Sequence, residues 1–484
     1  MSALERRPGA LALGGGLLWA GLNLVWLSQD HVPRDGDEQG HVGAAELFRA
    51  LWAEGQVGAA LGGALAGDYG EYPPLWPGLL GAAWALLSGT PEGLLLRAFP
   101  LISVLVTAFA VADLTMGLLR RGPEARPAAA LAGLLCLLMP LPVGVARHYM
   151  PEAPLMAAVS LSLALGLRAA EAPRWGRLLA WGLSLGLAGL IKQTAALALA
   201  APTLFLAWRI GPRALVGLGV GALVVAPWLI QNIAQQQIYA QTSVVGSDGG
   251  GDVGSGPGGG APLWAHLLHT PSQLIFVGLG PVLSLAALRY GPAGLRAARG
   301  TGGRLLLVWL LGGALLLTLI PKKYPRLILP ICPAVLPLLA IGLAQRPRRE
   351  GLLVLGGGAA GLTLMSLVAL PEAPLSRRLD PRCPQTWLGP PDPDDLGLSA
   401  TVAAIAAAPP GPVAVFAPPP IPCAVQSTHV WIEHLGPRLR YEGVERDILI
   451  DPSPEEAAGA GFVLRFDAAG RPRLPPPRAA AAPW

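Results

Sequence analysis

Apolar runs recur along the first 370 residues, separated by short polar or arginine-bearing segments. A helix needs about 20 mostly apolar residues to cross a hydrocarbon core. The pattern predicts spans near 9–28, 96–118, 128–146, 152–169, 178–191, 193–208, 214–231, 271–288, 305–320, 326–343 and 351–370. Segment 74–89 is also apolar, but it is short and contains Pro77. The first span follows Arg6 and Arg7 without a small-x-small cleavage site, so it reads as a retained anchor.

Arginine-rich short loops stay on the cytoplasmic side of a membrane. Arg120, Arg121 and Arg126 form one such loop, and Arg168, Arg174 and Arg177 the next. Arg209 with Arg213, then Arg289, Arg296, Arg299 and Arg304, then Arg346, Arg348 and Arg349 continue the series. These fall on one side, together with the N-terminus, when 74–89 lies in or dips into the outer interface. Eleven crossings then leave loops 29–95 and 233–270 and everything after 370 outside.

Composition agrees. Of 484 residues, 52% are hydrophobic and 13% charged, roughly half the charge of a soluble globular chain at about 25%. An ordinary cytoplasmic enzyme, a disordered chain and a nucleic-acid binder are excluded. The predicted class is an all-α polytopic membrane protein of about 11 transmembrane helices plus outer interfacial helices. Residues 1–370 form that domain.

Residues 371–484 differ: prolines, mixed charges and short apolar runs. Val413-Ala414-Val415-Phe416 and Phe462-Val463-Leu464 pattern as strands and 399–408 as a helix, a small outer α/β domain. From about Arg471 the Pro/Ala-rich end patterns as disordered. Cys136 and Cys332 fall in spans; Cys383 and Cys423 fall in the outer tail, where oxidising conditions permit a disulfide. The glycine-rich part of 233–270 reads as a flexible outer loop.

Charges in the wrong place carry the chemistry. The chain has three lysines, Lys192, Lys322 and Lys323, all on the expected outer side, whereas arginine fills the inner side. Lys192 follows an apolar run and precedes another. An ionised group near hydrocarbon costs about 2.5–3.5 kcal/mol on insertion scales, so it must snorkel, pair or bind an anion. Lys322, Lys323 and Arg326 cluster in a short outer loop, where such clusters are avoided. A solvated loop or a lipid headgroup is the plainer account of that cluster. The acidic candidates are Asp35, Asp37 and Glu38 in the first outer loop and Glu152 at the head of a span. Such carboxylates can serve as bases, can hold a divalent cation as a pair drawn from Asp37 and Glu152, or can simply face a helix N-terminus. His31, His41 and His148 are too scattered for a transition-metal pattern.

The order of these features resembles the integral-membrane glycosyltransferases of the GT-C class. It is nearest the branch of dolichyl-phosphate-mannose protein mannosyltransferases and the lipid A aminoarabinose transferase. The carriers of the likeness are Asp37-Glu38; Glu71-Tyr72-Pro73-Pro74-Leu75-Trp76-Pro77; Leu96-Arg97-Ala98-Phe99-Pro100; the stretch 147–154; Gly186-Leu187-Ala188-Gly189-Leu190-Ile191-Lys192; and Tyr324-Pro325-Arg326-Leu327-Ile328-Leu329-Pro330. The resemblance implies transfer of a sugar from a polyprenyl-phosphate carrier to a lipid, glycan or protein acceptor at the outer face, with inversion at the anomeric carbon. It implies Asp37 or Glu38 at the reacting centre, with Asp37 favoured, and Glu152 at a second acidic position where an aspartate is common. Lys192, Lys322, Lys323 and Arg326 would hold the lipid phosphate, with Tyr324, Tyr72 and Arg147 beside them. Tyr72 departs from the aminoarabinose transferase type, which carries a lysine there. The composition suggests a bacterial inner membrane, with the site facing outward. The competing readings are a polytopic transporter or lipid-linked sugar flippase, for which Asp113 is the notable interior acid, and an assembly scaffold working through its tail.

Overall fold

The computed structural model describes residues 8–30, 36–66, 72–87, 93–239, 263–298, 300–320, 325–367, 398–416, 435, 439, 444, 446–450, 452–466 and 472–473. α1 (Pro8–Gln29) leads into α2 (Gly36–Ala53), α3 (Val57–Ala66), α4 (Leu75–Leu87) and α5 (Leu94–Ala98). The bundle continues through α6 (Leu101–Leu118), α7 (Ala125–Cys136), α8 (Pro140–Val145), α9 (Glu152–Glu171), α10 (Trp175–Ile191), α11 (Ala195–Ile210) and α12 (Ala214–Gln231). It is completed by α13 (Ile233–Tyr239), α14 (Leu263–Gln273), α15 (Gly280–Ala297), α16 (Thr301–Leu319), α17 (Val335–Ala344) and α18 (Arg348–Leu367). The ends of the expected 233–270 loop are thus helical; its glycine-rich middle lies outside the described residues.

Among the described residues, five stretches are long and apolar enough to cross a membrane: Leu94–Leu118, Glu152–Glu171, Ala195–Gln231, Thr301–Leu319 and Arg326–Ala344. Leu75–Leu87, Ala125–Cys136 and Trp175–Ile191 are shorter apolar helices. The chain is a multi-pass membrane protein. The 37-residue stretch Ala195–Gln231 is two helices, not one. Gly182 of α10 lies against Gly217 of α12, Gly186 against Val224, and Gly189 against Val225. The numbers rise together, so α10 and α12 run parallel and α11 returns between them. A Cβ on Gly182 would run into the Gly217 carbonyl, so this contact depends on the missing side chain.

Three expected spans are not straight helices. Span 128–146 breaks after Cys136, because Met139 is extended and Pro140 starts α8. Span 271–288 breaks at a π-helical turn, Leu274–Gly278, followed by Gly280 at φ 72°. The halves meet at 110°. The Ser284 hydroxyl donates to the Ile275 carbonyl (2.7 Å) across this break. The first half of 326–343 winds as a 3-10 segment, Pro325–Ala334, which contains Pro330 and Pro333. Proline has no N–H to continue a helix ladder. The Trp309 indole donates to the Pro330 carbonyl (3.1 Å).

The tail is α/β, as its patterning indicates. α19 (Leu398–Ala406) precedes β1 (Val413–Phe416), β2 (Ile448–Ile450), α20 (Pro454–Ala458), β3 (Phe462–Phe466) and β4 (Pro472–Arg473). The sheet order is β2-β1-β3-β4; β1 pairs parallel with β2 and β3, and β3 pairs antiparallel with β4. Leu398, Val402, Ile405, Val413, Val415, Phe462 and Leu464 share its core. Ser453 and Glu456 form a reciprocal cap on α20, and the Ser453 N–H and hydroxyl hold the Glu456 carboxyl below its ordinary range. Strand β4 falls beyond Arg471, where the sequence reads as disordered. The Cys383–Cys423 expectation lies outside the described residues.

Substituting Gly182→Leu is expected to destabilise the α10–α12 pair by about 1–3 kcal/mol or more. Gly219→Leu, with open space around its Cβ position, should be close to neutral. Thermal unfolding of the purified protein in detergent compares the two.

Candidate functional site

Helix α10 ends at Lys192, whose extended backbone (φ −158°, ψ 134°) breaks the ladder after Ile191. Helix α9 begins at Glu152. Antiparallel packing of the two brings these ends together. Glu152 Oε1 accepts from Lys192 Nζ at 2.7 Å and lies 3.2 Å from Arg326 Nε, at the start of the 3-10 segment. Exposure is 1% for Glu152, 3% for Lys192 and 7% for Arg326. One carboxylate oxygen thus serves two cations. Breaking such a buried pair leaves an uncompensated charge, which is far more costly than losing a surface contact.

A second wall comes from α2. The Lys192 ammonium sits 5.2 Å from the centre of the Tyr72 ring, and that ring lies 4.7 Å from the ring of His41. One turn before His41, Glu38 Oε2 is 3.0 Å from His148 Nδ1, and Glu38 Oε1 accepts the Tyr149 backbone N–H at 3.0 Å. The Trp76 indole donates to the Tyr149 carbonyl (2.8 Å), and Trp76 stacks with Phe99 at 5.9 Å. Arg97 donates to the Leu27 carbonyl (3.2 Å) and pairs with Asp30 (2.8 Å), tying α5 to the end of α1. Arg147 turns toward α1: Nε donates to Asn23 Oδ1 (3.0 Å) and the guanidinium stands 4.2 Å from the Trp26 ring.

The structure therefore brings Glu38, Glu152, Lys192, Arg326 and Tyr72 into one connected set, with Arg147 on the adjoining wall. Asp37 stands in the first turn of α2; its side chain, and Lys322, Lys323 and Tyr324 throughout, lie outside the described residues. Four participants escape sequence reading. His148 and His41 pair with residues 110 and 31 positions away, beyond any local spacing. Asp30 and Arg97 each stand in recognisable surroundings, but nothing in the chain's spacing joins them. Among the described residues no three His, Cys, Asp or Glu side chains gather to hold a metal ion. Glu152, half of the expected metal pair, is engaged by two cations.

The interior acid Asp113 is at the other end of the bundle. It pairs with Arg168 and, at 3.2 Å, with Arg121, beside the turn where Arg177 donates to the Arg168 carbonyl (2.9 Å). It is an end clamp on α6 and α9 rather than a mid-membrane relay, which removes the main support for a transporter.

Residues 72–231, roughly a third of the chain, match the family described as dolichyl-phosphate-mannose-protein mannosyltransferase. That stretch holds Tyr72, Trp76, Arg97, His148, Glu152 and Lys192. The crystal structure of ArnT from Cupriavidus metallidurans bound to undecaprenyl phosphate is similar, with a TM-score of 0.53 and 18% identity over 75% of this chain and 64% of that one. Its apo state gives 0.51 and 19%, over 73% and 63%. The apo oligosaccharyltransferase of Archaeoglobus fulgidus gives 0.50 and 13%, over 93% and 65%. The fold is GT-C. A comparison with curated protein sequences finds no match. The chain spans just under two thirds of the length of each of these three solved structures. Within the GT-C fold, the acidic start of α2 and the cations at Lys192 and Arg326 belong to the same end of the bundle, opposite the Asp113 clamp.

Glu152→Ala is expected to destabilise the protein by about 3–5 kcal/mol, because Lys192 and Arg326 lose their common partner. Glu152→Met combined with Lys192→Met should recover only the share of that loss owed to Lys192, because Arg326 still lacks its carboxylate. A double-mutant cycle from thermal unfolding in detergent checks the coupling; additive losses would mean that Glu152 and Lys192 do not hold one another.

Proposed function

We propose that the chain is a glycosyltransferase that moves a sugar from a polyprenyl-phosphate carrier to a lipid, glycan or protein acceptor at the outer membrane face. The observation that carries this reading is the buried Lys192–Glu152–Arg326 group, which faces, through Tyr72 and His41, the wall formed by the acidic start of α2. The family match over 72–231 and the GT-C fold support the reaction class. That the similar ArnT was crystallised with undecaprenyl phosphate supports the carrier. The outward orientation rests on the arginine-bearing turns at the opposite end of the bundle, and the bacterial inner membrane on composition. Residues 1–370 are the catalytic domain and 371–484 an outer domain.

In this reaction an acceptor hydroxyl oxygen attacks the anomeric carbon. The bond from that carbon to the phosphate oxygen breaks, and its electron pair leaves with the polyprenyl phosphate. The hydroxyl proton passes to a carboxylate. Negative charge grows on the phosphate as the bond breaks, so Lys192 and Arg326, joined by Lys322 and Lys323, stabilise the transition state more than the ground state. Asp37 is the base. Both oxygens of Glu38 are already engaged, by His148 and by the Tyr149 N–H, which makes Glu38 a positioning residue that seats α2 on the loop before α9. Glu152 holds the two cations at the phosphate, and Tyr72, Tyr324 and Arg147 complete the donor's surroundings. A divalent cation is not required by this scheme.

Asp37→Asn is expected to lower transfer by about 10²–10⁴-fold, the range for a lost general base, while expression and carrier binding stay near normal. Glu38→Gln should lower transfer less and reduce thermal stability as well. Purified protein incubated with polyprenyl-phosphate sugars, with the released carrier weighed by mass spectrometry, reads both. Full turnover by Asp37→Asn would remove the assignment.

A further inference from the structure

Gln193, the residue after Lys192, carries a side-chain amide whose oxygen and nitrogen are both shielded from solvent, and neither has a hydrogen-bond partner among the described residues. The same is true of Glu152 Oε2, the carboxylate oxygen not used by Lys192. Gln193 is fixed in place: its backbone carbonyl accepts from the Ala196 N–H (3.3 Å) in the turn that opens α11. Polar groups withdrawn from water without partners are costly, and natural interiors pair nearly all of them. The three unmet polar atoms belong to residues joined through Lys192, Gln193 by the peptide bond and Glu152 by its ion pair, and such atoms mark a place that a ligand can complete.

The chemistry of those atoms selects the ligand. Glu152 Oε2 and Gln193 Oε1 are acceptors and need donors; Gln193 Nε2 is a donor and needs an acceptor. An ionised phosphate offers acceptors alone and would leave both oxygens unmet. A ring bearing several hydroxyls offers both. We infer that Gln193, with the free oxygen of Glu152, reads hydroxyl groups of the transferred sugar, which makes Gln193 a specificity-determining residue. This deepens the transferase reading and rests on it.

The test is Gln193→Leu, which removes the unmet amide but keeps most of its bulk. Binding is measured by thermal shift and by direct titration with bare undecaprenyl phosphate and with glycosylated undecaprenyl phosphates. The apo variant should be at least as stable as the parent, because an unpaired buried amide has been replaced by an apolar group. It should bind the bare carrier as the parent does, yet lose about tenfold in affinity for a glycosylated carrier that the parent prefers, the scale of one or two lost hydrogen bonds. Equal weakening toward both ligands would place Gln193 on the phosphate and overturn the inference, as would unchanged preference. A fall in apo stability would show that the amide is structural and also overturn it. If the parent protein binds neither ligand, the transferase reading itself fails, an outcome separate from these.

Discussion

The arrangement depends on one carboxylate shared by two buried cations. Glu152 heads one helix, Lys192 ends the next, and Arg326 begins a segment far along the chain, so their contact fastens three parts of the bundle at one point. A lone ammonium at this depth would be unstable, so Lys192 and Arg326 are held where they are by the carboxylate they share. Cations fixed in a site from which water is largely excluded act strongly on any negative charge that develops beside them.

Backbone irregularity in the bundle obeys the same solvent constraint. Inside a membrane, non-helical backbone is tolerated where protein or a polar cavity surrounds it. The breaks lie against one another: Gly280 faces Pro140, and Gly278 faces Cys332 and Ile328 of the 3-10 segment. A carbonyl beside the break at 278–280 receives the Ser284 hydroxyl, and one in the proline-rich segment receives the Trp309 indole. Bends in three segments are thus accommodated together. The 3-10 segment that carries Arg326 to Glu152 is one of them, so the irregular geometry serves the ionic group directly.

Much of this was legible in the chain. Apolar run lengths gave the polytopic all-α architecture, strand alternation at 413–416 and 462–464 gave the α/β tail, and misplaced charge drew attention to Lys192, Glu152 and Arg326. Each signal is local. The helix breaks were missed because hydropathy records how apolar a run is, not whether its prolines and glycines let it wind continuously. The Glu38–His148 and Asp30–Arg97 pairs were missed for a different reason. Their partners are separated by 110 and 67 residues, and no periodicity links them until the outer helices are packed. The motif around Trp76 acquires a reason only then, since its indole holds the Tyr149 carbonyl while Glu38 takes the Tyr149 N–H.

Tyr72 shows how the site can be retuned without changing the fold. The aminoarabinose transferase type carries a lysine at this position. Here the ring lies between Lys192 and His41, and the ammonium is directed at the ring centre. An aromatic face attracts a cation through its quadrupole, whereas a lysine in the same place would set a second ammonium against Lys192 and raise the charge that Glu152 must balance. With tyrosine, the pairing of Lys192 to Glu152 suffers no such competition. Under the proposed transferase reading, a tyrosine at this position shifts the balance of the site from net charge toward shape and hydrogen bonding.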